Sequence, residues 1–91
     1  MGFTAMELRA AGFDAAVLRA AGFTNVHDLL AAGFGVHRLL HAGFTVPVLR
    51  EGGVTYLHLR QLDFSVETLL VGGYVQEAEE EVLRELFTQV R

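Results

Sequence analysis

Residues 8–26, LRAAGFDAAVLRAAGFTNV, contain nearly the same ten-residue phrase twice, and the phrase recurs along most of the chain. Dividing the sequence before each Gly-Phe step or its equivalent gives six segments of ten residues and one of eleven. The seven segments are 2–11, 12–21, 22–32, 33–42, 43–52, 53–62 and 63–72. Such regular self-similarity is typical of a repeat architecture in which each repeat forms one structural element.

Most repeats carry residues that start and stop a short helix. A hydroxyl or carboxylate stands at the third position of six repeats, where its oxygen can accept a hydrogen bond from the first helical turn. These residues are Thr4, Asp14, Thr24, Thr45, Thr55 and Ser65. The glycine that opens the next repeat can adopt the left-handed conformation that ends a helix. The pattern predicts about two turns of helix per repeat, with a Thr4–Glu7 capping box and Pro47 in a first turn.

The apolar positions predict the core. The seventh position is Leu in all seven repeats, provided that the extra residue of the third repeat precedes its helix. Positions four, seven and ten lie on one helical stripe, and we expect this stripe to be buried together with the residue at position two. The second position is occupied by Phe3, Phe13, Phe23, Phe34, Phe44, Val54 and Phe64.

One repeat is too small to fold alone. Burying one Phe and one Leu contributes roughly 3 to 6 kcal/mol, whereas ordering ten residues costs on the order of 15 kcal/mol. Neighbouring repeats must therefore share a continuous core. Because four linking residues reach only about 13 Å, we expect antiparallel or steeply angled neighbours, with two or three helices per superhelical turn.

The predicted fold class is all-α, a solenoid of short helices, one per ten-residue repeat, closed by a longer C-terminal helix. The repeat pattern ends at Gly72-Gly73, which predicts a solenoid domain at 1-74 and a C-terminal helix at 75-91 that ends at Arg91. This helix either caps the last repeat or docks a partner. The first repeat has no comparable cap, so Phe3 is available for contact with another copy. The helix's apolar stripe comprises Val75, Ala78, Val82, Leu83, Leu86, Phe87 and Val90.

The phrase AGFTxxxLRAAGF resembles the tandem decapeptide arrays, of the form AGF-Ser/Thr-xxx-Leu-Arg/Lys-xx, that occur in bacterial and protist proteins. The resemblance extends from Gly2 to about Gly72, and it weakens at Gly53-Val54 and Asp63-Phe64. It implies an interaction or scaffolding module and assigns no catalytic residue.

Composition argues against several classes of partner. The net charge is −4, with seven Arg and no Lys, so the chain lacks the basic field that attracts nucleic acid or an anionic membrane. Every apolar run is shorter than the ~18 residues of a membrane span, and no cysteine is present. We expect no nucleic-acid partner, no membrane insertion and, by default, a cytoplasmic location.

No motif indicates catalysis or a cofactor. His37 and His41 have the four-residue spacing of zinc-binding pairs, but HExxH and cysteine ligands are absent; a small metal-dependent protein is the weakest alternative. Glu79 to Glu81 are consecutive, so they do not converge as a general acid and its partner must, and we expect them to form a solvated helix start. The glycines form neither GxGxxG nor GxxxxGK[ST]. We therefore expect a non-enzyme without a metal or cofactor.

The eighth position of the repeats is the first candidate surface for binding a partner. Its arginines either grip an acidic protein or cap helix carbonyls and cover neighbouring apolar residues. Two functions remain open: a scaffold that binds another protein, or a unit that assembles into homo-oligomers or filaments through the repeat ends. The candidate partner-binding residues are Arg9, Arg19, Leu30, Leu40, Arg50, Arg60 and Leu70, with Leu83, Leu86 and Phe87 of the C-terminal helix.

Overall fold

The computed structural model describes residues 2–89, in which every regular element is a helix. The predicted all-α fold, with one short helix per repeat and a longer C-terminal helix, is confirmed. The predicted helix end at Arg91 and the stripe residue Val90 lie outside the described residues. The helices are α1 Ala5–Ala10, α2 Ala15–Ala20, α3 Val26–Ala31, α4 Val36–His41, α5 Val46–Glu51, α6 Tyr56–Gln61, α7 Val66–Val71 and α8 Val75–Gln89.

Packing divides the chain into two compact units. The N-terminal unit, Met1–Gly53, contains α1 to α5, and the C-terminal unit, Val54–Arg91, contains α6 to α8. Helix α8 begins at Val75, two residues after the repeat pattern ends at Gly72-Gly73. The division into domains 1-74 and 75-91 stays a prediction.

Within the N-terminal unit each helix packs on the second one along the chain. Helix α1 contacts α3, α2 contacts α4, and α3 contacts α5, while α1 also contacts α2. This pairing corresponds to a solenoid with two helices per superhelical turn, one of the two values that the linker length allowed. In the C-terminal unit α7 packs on both α6 and α8.

Helix ends follow the predicted capping chemistry, with corrections at Thr24 and at Thr45. Thr4 and Glu7 form the capping box, and Asp14, Thr55 and Ser65 accept hydrogen bonds from the N–H three residues on. Thr24 is not an N-cap; Asn25 takes this role because the extra residue of the third repeat lies before α3.

The N-caps of α4 and α5 make no side-chain hydrogen bond. Gly35 caps α4 and has no side chain to accept a hydrogen bond, and Thr45 caps α5 through its backbone alone. Pro47 lies in the first turn of α5, as predicted.

The turn after most of the short helices brings the second-position residue onto the preceding leucine. After α1, the Gly12 N–H donates to the Arg9 carbonyl and the Phe13 N–H donates to the Leu8 carbonyl. This pair of bonds is the Schellman motif, in which the residue after the glycine packs back on the last turn. The same bond to the seventh-position Leu recurs from Phe23, Phe34, Phe44, Phe64 and Tyr74.

Burial confirms the leucine core and corrects the phenylalanine prediction. The seventh-position leucines from Leu18 to Leu69 are 0–1% exposed. Phe34 and Phe44 are buried, whereas Phe3 and Phe13 are exposed, so the prediction that every second-position ring lies in the core is wrong. The difference depends on whether another part of the chain covers the ring. Phe23 and Phe64 are half-buried.

Candidate interaction surfaces

Two eighth-position arginines of the N-terminal unit lie over buried phenylalanine rings. The Cζ atom of Arg9 is 5.8 Å from the centre of the Phe34 ring, and that of Arg19 is 5.7 Å from the Phe44 ring. A guanidinium within about 6 Å of a ring centre is attracted by the electron-rich ring face. In both cases the arginine is three repeats ahead of its ring, so two turns of the solenoid are joined by an arginine–ring contact.

The glycine before each of these rings makes room for the guanidinium. A Cβ atom on Gly33 would lie 3.1 Å from Arg9 Cζ, and one on Gly43 would lie 3.2 Å from Arg19 Cζ. Both glycines also have φ = +104°, a conformation that L side chains rarely adopt. Glycine at positions 33 and 43 is therefore favoured by the turn, and a Cβ at either position would also displace the guanidinium by a few tenths of an ångström.

The remaining eighth-position residues have different surroundings. Leu30 and Leu40 are half-buried, and Arg50 and Leu70 are exposed. The structure thus does not present the eighth position as one uniform face. The role of these residues in binding a partner stays a prediction.

Arg60, the eighth-position residue of α6, joins α6 to α8. Its Nη2 lies 2.6 Å from Glu81 Oε2 and its Nε lies 2.9 Å from Oε1, a bidentate pair, while its Nη1 donates to the Phe64 carbonyl. The Tyr56 hydroxyl donates to the same carboxylate at 2.5 Å. Two side chains of α6 therefore fix α8 through one residue, because bidentate charged hydrogen bonds set both distance and orientation.

This network shifts the pKa of its members in opposite directions. The hydrogen bonds from Arg60 and then Tyr56 lower the pKa of Glu81 to about 2. Burial, followed by the hydrogen bond to Glu81, raises the pKa of Tyr56 to about 12. Across the pH range of most solution work the carboxylate therefore stays charged and the phenol stays neutral.

Tyr74 adds an apolar and a polar contact to the C-terminal unit. It is buried at the equivalent of a second position, its ring centre is 5.9 Å from that of Tyr56, and its hydroxyl donates to the Val54 carbonyl. Ala78 is the buried residue of α8. Sequence reasoning assigned Glu81 to a solvated helix start and gave no role to Tyr74; a tyrosine at a phenylalanine position was the available signal.

The last turns of α8 expose an apolar surface. Val82, Leu83, Leu86 and Phe87, separated by three and four residues, lie on one side of the helix and define the C-terminal apolar face. All four are exposed, and the Phe87 side chain is 77% exposed. Helix α8 packs on α7 and buries Ala78, whereas Val75 in its first turn is exposed.

Neither the histidines nor the surface grooves of the described residues form a defined metal-binding site. His27, His37, His41 and His58 are exposed, and residues 2–89 hold no three His, Asp or Glu side chains arranged to bind a metal ion. Shallow grooves lie between α1 and α3 and between α2 and α4, and each is lined by three alanines together with larger side chains. No helix within residues 2–89 is long and apolar enough to cross a membrane.

Comparison with protein families agrees with the repeat geometry. Residues 2–76 match the family described as the decapeptide repeat region. The chain belongs to this family. Comparisons with curated proteins and with solved structures gave no match. The decapeptide repeat match covers α1 to α7 and supports a repeat-based structural module.

Proposed function

We propose that this decapeptide repeat protein is a non-catalytic scaffold that binds another protein through the C-terminal apolar face. The observation that carries the proposal is the exposure of Val82, Leu83, Leu86 and Phe87 on one side of a helix. Residues at this spacing are the anchors with which an amphipathic helix enters a hydrophobic groove of its partner. Of the predicted binding residues, Leu83, Leu86 and Phe87 belong to this face.

The fixed position of α8 supports the proposal. Glu81 is held by Arg60 and Tyr56, and Ala78 is buried, so the exposed turns extend from an anchored first half. A helix that is already ordered loses less conformational entropy on binding than a flexible segment does. Among the exposed residues Phe87 offers the largest apolar area, and aromatic residues are enriched among those that dominate interface energies.

The test compares two variants in which exposed apolar residues become glutamine. Leu83→Gln/Leu86→Gln/Phe87→Gln replaces three of the four residues of the C-terminal apolar face, and Leu57→Gln/Val71→Gln changes two residues of the same unit that are exposed elsewhere. A protein captured by the wild type is purified and titrated against all three chains by calorimetry. We expect at least a hundredfold weaker binding for the α8 variant and an unchanged Kd for the control. Equal binding to all three chains, or failure to capture any protein that discriminates between them, would contradict the proposal.

Self-assembly is the second candidate, and the same apolar stripe favours it. An exposed helix face can bury itself against its twofold mate in a symmetric dimer. Light scattering over a hundredfold concentration range separates the two functions. A mass that doubles with concentration for the wild type and stays monomeric for the α8 variant would support assembly, and a constant monomer would exclude it.

A further inference from the structure

In the N-terminal unit some second-position phenylalanine rings lie under an arginine and others do not. Phe34 and Phe44 are 4% and 6% exposed, and each lies under an arginine from three repeats earlier. Phe3 and Phe13 are 68% and 47% exposed, Phe23 is half-buried, and no cation within residues 2–89 lies over these rings. We call Phe3, Phe13 and Phe23 the N-terminal aromatic face.

The local structure around the open rings matches that around the covered ones. The Phe13 and Phe23 N–H groups donate to the carbonyl of the preceding leucine, as Phe34 and Phe44 do, and Gly12 and Gly22 have φ of +99° and +102°. The space above the glycines differs. A Cβ atom on Gly12 or Gly22 would meet nothing within 4 Å, whereas Gly33 and Gly43 lie against a guanidinium.

We propose that the N-terminal aromatic face binds the C-terminal end of another decapeptide-repeat array whose last three repeats carry arginine at the eighth position. Each incoming guanidinium lies over one open ring, as Arg9 and Arg19 lie over theirs. The incoming helices continue the packing that joins α1 to α3 and α2 to α4. This inference concerns the N-terminal unit alone and does not depend on the function proposed for α8.

A second copy of this chain fits the face poorly. Its last three eighth-position residues are Arg50, Arg60 and Leu70, so one of the three arginines is missing. Arg60 is already held by Glu81 and by the Phe64 carbonyl, and Arg9 and Arg19 lie over rings of their own chain. The occupant is therefore an array that differs from this chain at its C-terminal end.

The probe is an array of seven copies of residues 12–21, GFDAAVLRAA, with Ser replacing Phe in its first three repeats so that it does not bind itself. The arginines of its first four repeats lie over its own rings, and those of its last three have no ring to cover. The control array carries Gln instead of Arg in only these three repeats, which leaves its internal contacts intact. Circular dichroism establishes that both arrays are helical before use.

Calorimetry with the full chain then measures binding. We expect a one-to-one complex whose Kd rises at least tenfold for the control array and for the chain variant Phe3→Ser/Phe13→Ser. The chain variant Leu57→Ser, which removes an exposed apolar side chain of the C-terminal unit outside the C-terminal apolar face, should bind as the wild type does. Equal affinity for both arrays, or no binding of the arginine array, overturns the proposal. Dimerisation of the chain that is lost in Phe3→Ser/Phe13→Ser overturns it as well, since the occupant would then be a second copy.

A fused form measures the same contact without a separate folded probe. Three copies of residues 12–21 are placed directly ahead of Gly2, with Arg or with Gln at their eighth positions. We expect a higher thermal midpoint for the arginine fusion, and ring-proton shifts of Phe3, Phe13 and Phe23 in its NMR spectrum. Identical midpoints and unshifted ring signals in both fusions would contradict the arginine–ring contact.

Discussion

Arg19 in the N-terminal unit and Arg60 in the C-terminal unit occupy the same repeat position but make different contacts. Arg19 lies over the Phe44 ring, with its guanidinium against Gly43. Arg60 forms a bidentate pair with Glu81 and donates to a backbone carbonyl. The repeat thus determines where the guanidinium is placed, and the group within its reach determines which interaction it makes.

The two contacts differ in strength and in response to pH. A cation–ring contact at an exposed site contributes about 0.5–1 kcal/mol, whereas a hydrogen bond to a charged group contributes about 1.5–3 kcal/mol. Titration of a carboxylate affects only the second kind. Truncating a core leucine should therefore destabilise either unit to a similar extent. Acid should weaken the Arg60–Glu81 contact of the C-terminal unit but not the arginine–ring contacts of the N-terminal unit.

The largest expected loss of stability comes from truncating the seventh-position leucines, which both units bury. Leu39 and Leu69 are 0% exposed at the same repeat position, so Leu39→Ala and Leu69→Ala should each lower the free energy of unfolding by about 2–5 kcal/mol. Urea unfolding followed by circular dichroism measures both. The exposed Leu83→Ala serves as the control and should change stability by less than about 0.5 kcal/mol. A small loss at one leucine alone would show that the units do not have equivalent cores.

Substitution of glycine by alanine separates the effect of the nearby arginine from that of the turn. Gly43 has φ = +104°, and a Cβ added there would lie 3.2 Å from Arg19 Cζ. Gly12 has a similar φ of +99°, but a Cβ added there would meet nothing within 4 Å. Both variants bear backbone strain of about 1–3 kcal/mol, and Gly43→Ala should be the less stable of the two because Arg19 must also move. Thermal unfolding of both variants, with Arg19→Ala added to each, isolates the arginine. Equal losses with Arg19 present would show that the guanidinium does not restrict this position.

Much of the fold could be predicted because its signals are local. The hydroxyl and carboxylate caps, the glycine stops and the leucine period each act within one repeat, and together they predicted seven short helices and a longer one. The exposure of Phe3 and Phe13 was mispredicted because covering a ring depends on an arginine three repeats away. The Glu81 network was missed for the same reason, since its partners on α6 are more than twenty residues distant in sequence.

The pH dependence of stability tests the Glu81 contact with Arg60 and Tyr56, which is specific to the C-terminal unit. Glu81→Gln should cost about 1–2 kcal/mol at pH 7, because it removes the charge from hydrogen bonds with Arg60 and Tyr56. The pKa of Glu81 is lowered to about 2 in the folded chain, and an unfolded Glu titrates near about 4.3. The stabilisation is therefore complete above that value and is lost as pH falls towards 2. The stability difference between wild type and Glu81→Gln, measured by urea unfolding from pH 7 to 2, should shrink over this interval.

Two controls make the acid experiment specific. Asp14→Asn changes another carboxylate that accepts a backbone hydrogen bond and is the control substitution in the N-terminal unit. Arg60→Gln removes the other member of the pair and should likewise reduce the change in unfolding free energy over the same pH interval. A difference between wild type and Glu81→Gln that persists unchanged down to pH 2 would contradict the assigned pKa.

The smallest expected effect concerns the arginine–ring contact itself. Arg19→Met keeps much of the apolar stem over the Phe44 ring and removes the charge, so it should lower stability by about 0.5–1 kcal/mol. Arg9→Met, which removes the charge over the Phe34 ring, is the matched comparison at the same repeat position. The Phe44 ring protons should shift in the NMR spectrum of Arg19→Met and remain unchanged in that of Arg9→Met. If the methionine is as stable as the arginine and leaves the ring signals in place, apolar cover alone is sufficient, and arginine at the eighth position has no special role in joining turns of the solenoid.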